Sequence, residues 1–166
     1  MMIKTVRNII CRRLYDFLGR PVLLHDQTDP EAKPPMLYYQ LVGTLIPLGG
    51  ASIWQDGSTQ YRREPTEATI SITAVSYDRD GRDGRIYGDD EALELAERTM
   101  SWMLHIGRRE LLLDGIAVVE VGNVQCRSNL IIDEVARQYG LDVRVRFDRT
   151  TTIDIPIIVG GAITEI

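Results

Sequence analysis

The residues of this 166-residue chain whose types could do chemistry are two cysteines, two histidines and one aspartate-rich stretch. A thiol beside an imidazole would be a nucleophile, and Cys126 with His25 or His105 supplies the types. Neither histidine has a Cys or a second His at metal-ligand spacing, and Cys11 and Cys126 stand in unrelated contexts. Asp78, Asp80 and Asp83, in DRDGRDGR at 78–85, suggest calcium. A calcium loop of that type needs an oxygen ligand at its fifth position. Here the fifth residue is Arg82, and three arginines balance the three aspartates. Gly81 and Gly84 do not open a helix within the distance a dinucleotide fingerprint requires, there is no P-loop, and GGAS at 49–52 is not a nucleophile elbow. The other carboxylates are scattered over helix starts and solvated faces. The expectation is a chain with no catalytic, cofactor or metal site, and not an enzyme.

The net charge of -5 argues against a general nucleic-acid binder, while leaving room for a surface past which DNA merely moves. Two cysteines make no disulfide framework and suit a reducing compartment. No run reaches the length of a membrane span. The N-terminal MMIKTVRNIICRRLYDFLG lacks the apolar core of a secretory signal and reads as a first structural helix.

The elements follow from periodicity. Ile3, Val6, Ile10, Leu14 and Phe17 form a stripe at helical spacing over 3–18, with Gly19 as the stop and Pro21 barring continuation. A short strand is expected at 22–25, a proline-bearing loop at 26–35, and a strand at 36–46 with Gly43 as a bulge. Residues 47–65 read as a protruding hairpin around the Asp56 and Gly57 turn, with Trp54 before it and Tyr61, Arg62 and Arg63 after it. Residues 66–77 alternate, Ile70, Ile72 and Ala74 inward, and 78–85 is a polar loop. A second helix is expected at 89–106, capped by Gly107. Its inner stripe is Leu93, Ala96, Met100, Met103 and Leu104, and a second apolar line runs through Leu95, Trp102 and Ile106. A loop of the same domain or a neighbouring subunit could cover that second line. Strands follow at 116–121 and 141–148. Residues 126–136 fit either a short helix or a turn. Residues 149–159 extend the last strand or start another at an edge marked by Pro156, and the tail, GGAITEI, is a candidate arm.

In 141–147, Leu141, Val143, Val145 and Phe147 face a core, whereas Asp142, Arg144 and Arg146 form a row of charges on a face that folding does not call for. The expected fold is α+β, a single domain with an antiparallel or mixed sheet packed against two helices and a protruding β-hairpin. The residues expected to meet another chain are Trp54, Tyr61, Arg62, Arg63, Leu95, Trp102, Ile106, Asp142, Arg144 and Arg146.

Two motifs carry a resemblance. The first is Pro35, Met36, Leu37, Tyr38 and Tyr39, and the second is Arg137 followed by Gly140, Leu141, Asp142 and Val143. With the order of elements over roughly 3–148, they make the chain resemble the neck or tail terminator proteins of tailed bacteriophages. It departs from that pattern in having Leu37 rather than proline before the first tyrosine, and Gln138 where a second arginine often stands. The resemblance implies a structural virion protein at the neck, assembled in the host cytoplasm. It implies a homo-oligomeric ring, typically a hexamer, that caps the tail tube, stops its polymerisation and joins it to the head-side connector protein. DNA would pass through the channel without specific binding, and no membrane is involved. Other readings are a head–tail connector or tail-completion protein, a bacterial adaptor, and a small hydrolase using Cys126, His25 or the aspartate loop.

Overall fold

The computed structural model describes residues 1–25, 32–128 and 136–155. Helix α1 (Ile3–Leu18) buries Val6, Ile10, Leu14 and Leu18, a four-residue spacing that keeps one stripe on the core. Burying four such side chains contributes roughly 6–12 kcal/mol before the cost of ordering them. Gly19 ends the helix at φ 63°, its N–H bonded to the Tyr15 carbonyl at 2.8 Å, which is the predicted left-handed stop. Phe17, expected in the stripe, lies at its edge, and Leu18 takes the core position.

The strands are β1 (Val22–Leu24), β2 (Met36–Pro47), β3 (Ser52–Asp56), β4 (Thr59–Ser76), β5 (Arg79–Gly81), β6 (Gly84–Ile86), β7 (Ile116–Val121), β8 (Gln125–Cys126) and β9 (Arg137–Asp154). The main sheet runs β1-β2-β4-β9-β7, with β3 added to β4 and β8 to β9. Among the described residues only the β1–β2 pair is parallel, so the sheet is mixed. The fold is α+β.

Its backbone is the β4–β9 ladder, paired without a break from Thr59 opposite Asp154 to Ser76 opposite Arg137. Eighteen residues on each strand make a ribbon about 60 Å long. Beyond its midpoint Ala68, Ile70 and Ile72 face Val145, Val143 and Leu141, each 1% exposed or less. Helix α2 (Gly88–Leu104) packs on β4 and β9 over that apolar face, while α3 (Ile106–Leu113) packs on β7, α2 and α1. Gly43 sits between two register shifts of β2 against β4, the predicted bulge.

Three expectations need correction. The helix predicted at 89–106 breaks at His105 (φ -120°, ψ -99°) and resumes as α3. Gly107 is therefore not its cap. It lies inside α3, buried against the Trp102 indole. Leu95 and Trp102, expected on a second apolar line and among the contacts with another chain, are 4% and 2% exposed within this chain's own core, and Leu104, expected inside, is outside. The break at His105 explains these exchanges, because it turns α3 back on α2 so that the chain itself covers Trp102. Third, the polar loop at 78–85 is the β5–β6 hairpin. The expectations for 26–31, for most of 126–136 and for Pro156 with the tail GGAITEI lie outside the described residues.

Candidate functional site

β2 stops pairing with β4 at Pro47 opposite Thr66, and β3 takes over at Ser52 opposite Arg63. Beyond that point β3, the start of β4 and the end of β9 continue as a three-stranded arm closed at Gly57, whose φ of 60° a side chain would resist. All five β3 residues are exposed. Trp54 pairs across the strands with Tyr61, and their rings stack with centroids 5.2 Å apart and planes within 6°. Ile53 and Ile153 are 61% and 63% exposed, and Trp54 is 44% exposed. The hairpin was read from sequence. The extension of the last strand past residue 148 was one of two readings of 149–159, and β9 follows it to Asp154; its pairing with the start of β4, which adds a third strand to the hairpin, left no signal in the sequence.

Arg62 and Arg63 lie at the foot of the arm and are held by acids of the same chain. Arg62 bonds Glu64 at 2.8 Å, Arg149 stands 3.8 Å from the same carboxylate, and Arg63 pairs with Asp148. The Glu64 side chain is 8% exposed, so these arginines supply the counter-charge that its burial requires.

The second feature is the sheet face turned away from the helices. There Asp142, Arg144 and Arg146 alternate along β9, as expected. Arg146 donates from Nε and Nη2 to one Glu67 oxygen at 3.1 and 2.7 Å. Arg144 reaches Glu120 at 2.7 Å and Glu67 at 3.8 Å. Asp142 accepts from Arg127 at 2.8 Å, and Arg127 also donates to Ser71 and Thr73. Burial pushes the Asp142 carboxyl up, but hydrogen bonds from Ser71 and Arg127 outweigh it and hold the group below its ordinary value. The Glu67 side chain is 8% exposed beneath arginines that are 44% and 49% exposed. Contrary to expectation, this face is tied to folding, because a buried carboxylate depends on it. Glu67, Glu120 and Arg127 were missed as members of the site. The signal that would find them is the register that sets Glu67 opposite Arg146 and Glu120 opposite Arg144.

Of the remaining predicted contact residues, Ile106 is 57% exposed on α3. Leu95 and Trp102 are taken up in the core, where the Phe17 ring lies 6.1 Å from the Trp102 ring. The groups considered for chemistry have structural neighbours. Asp78 accepts the Gly88 N–H at the start of α2 at 2.8 Å and an Arg85 contact at 3.5 Å, while Arg79 grips Glu91 with two bonds of 2.7 and 2.8 Å. Exposed Cys126 has Ser128 at 3.6 Å. Among the described residues no three His, Cys, Asp or Glu side chains are grouped to hold a metal, and no helix is long and apolar enough to cross a membrane.

A family profile described as phage neck terminator protein matches residues 2–166, essentially the whole chain. The chain belongs to the phage neck terminator family. Membership makes it a structural component of the phage neck and hence of the virion. No curated protein matches the chain.

Proposed function

We propose that copies of this chain close a ring, a hexamer, at the phage neck. The ring caps the tail tube, stops its polymerisation and joins it to the head-side connector, leaving a channel through which DNA passes. It assembles in the host cytoplasm and carries out no catalysis. Head-to-tail contacts between copies close such a ring without a two-fold axis.

The observation that carries this reading is the arm. Trp54, stacked on the half-buried Tyr61, stands exposed with Ile53 and Ile153 on the arm. Aromatic side chains in that setting supply large contact area at low cost in side-chain freedom. Exposed Ile106 on α3 offers a second contact. The test is Ile53→Ser with Trp54→Ser and Ile153→Ser. Light scattering and electron microscopy with purified tail tubes would read assembly, and a thermal melt would read folding. The variant is expected to melt within a few degrees of the parent while losing ring formation and tube capping. A variant that still forms rings and caps tubes would overturn the assignment of the arm.

A further inference from the structure

The outward sheet face combines charge density with neutrality. Three guanidiniums, Arg127, Arg144 and Arg146, stand among three carboxylates, Asp142, Glu120 and Glu67. The layers differ in depth, with the Glu67 carboxylate lying under the partly exposed forks of Arg144 and Arg146. Arginines spaced two apart along a strand and facing outward would ordinarily bind a phosphate backbone. Here the fork of Arg146 spends two donors on Glu67, and Arg144 is shared between Glu67 and Glu120. A phosphate would have to compete with those carboxylates for both forks. A covered protein contact is a poor use for such a face, because charged residues are depleted at interface cores and their desolvation is costly.

We propose that this face is a masked polyanion surface turned towards passing double-stranded DNA, and that Glu67, aided by Glu120, keeps Arg144 and Arg146 from gripping it. The assignment rests on the ring reading for the presence of DNA and deepens it by naming the face and the masking residue. Glu67 acts through the arginines and is a positioning residue.

The test compares the full-length parent with Glu67→Gln/Glu120→Gln and with a control of equal net charge, Glu94→Gln/Glu97→Gln, whose side chains are exposed on α2. The probe is a short fluorescent DNA duplex titrated between about 50 and 200 mM salt, the range over which phosphate contacts lose most of their affinity. The sheet variant should bind at least about tenfold more tightly than the control at low salt. Its log–log salt dependence should be steeper by about 2, near 0.9 for each of two released arginines. Adding Arg144→Ser and Arg146→Ser should abolish the gain. Equal binding by the sheet variant and the control, or a gain that survives loss of both arginines, would overturn the proposal. Should the double variant fail to fold, Glu120→Gln alone, at a side chain 64% exposed, should steepen the slope by about 1, and no steepening would overturn the proposal. The measurement needs neither ring nor tube, so light scattering on the same samples separates a failure of the ring reading from a failure of this one.

Discussion

Replacing Gly107 by alanine tests the helix break with opposite signs for opposite explanations. Gly107 lies within α3 and is not among the residues with positive φ. Helix propensity alone therefore predicts that alanine stabilises by about 1 kcal/mol. The packing predicts the reverse. A Cβ there would fall 2.3, 2.4 and 2.5 Å from Cδ2, Cε2 and Cε3 of Trp102, more than about 1 Å inside ordinary contact. These are atoms of a rigid ring that is 2% exposed, so the indole or the α2–α3 junction must shift. Overpacking costs about 1–3 kcal/mol, and loss of an indole's packing about 3–5 kcal/mol. Where the two ranges meet, at about 3 kcal/mol, the propensity gain leaves a net of roughly 2 kcal/mol of destabilisation, which lowers Tm by about 4–8 °C in a chain of this size. Urea denaturation and a thermal melt read it. Trp102→Leu in the Gly107→Ala background should cost less than its cost in the parent, giving a coupling energy. A Gly107→Ala variant as stable as the parent would refute the account of the break.

Changing Asp142, Arg144 and Arg146 together to serine should lower stability by roughly 1–3 kcal/mol, because the buried Glu67 side chain loses its arginine partners; adding Glu67→Gln should recover most of this in urea melts. Burial pushes the Cys11 thiol up to about 11, while bonds to Ser128, from its backbone and then its hydroxyl, lower that of exposed Cys126. Iodoacetamide near pH 8 should therefore alkylate Cys126 at least about a hundredfold faster, as read by mass spectrometry of the native protein. The Arg79 hydrogen bond, opposed by burial and helped by Ser76, holds Glu91 below its ordinary 4.5, and the Gly88 amide does the same for Asp78 below 3.8. Both depressions contribute stability that is present above those ordinary values and lost as pH falls through the folded ones. The urea midpoint should drop below about pH 4.5, less steeply in Glu91→Gln.

How much was legible in sequence depended on what surrounds each segment. α1 was readable because one face meets a core and Gly19 supplies the turn that ends it. The 66–77 and 141–148 strands were readable because one side is apolar, and the arm's hairpin because Asp56 and Gly57 mark a turn. β5 and β6 carry no apolar face, so their pairing left no trace beyond the glycines. Gly107 misled because a glycine late in a helical pattern usually signals an end, while here it makes room for a ring from the preceding turn. The candidate surfaces were half legible. The charges of β9 alternate visibly, but Glu67 and Glu120 lie 79 and 24 residues away from the arginines they hold, and only strand register brings them together.

The unbroken pairing of β4 with β9 also dictates when this chain can fold. Each rung joins residues 61 to 95 positions apart, from Ser76 with Arg137 to Thr59 with Asp154. The β2–β4 pair needs only residues up to Ser76, but the other edge of β4, which carries Ala68, Ile70 and Ile72, must wait for β9 to be synthesised. Until then a growing chain presents an unpaired strand with an apolar face, open to the matching edge of another nascent chain. The pairing that completes the core and the pairing that completes the arm thus belong to one continuous ladder, and both need the same late segment.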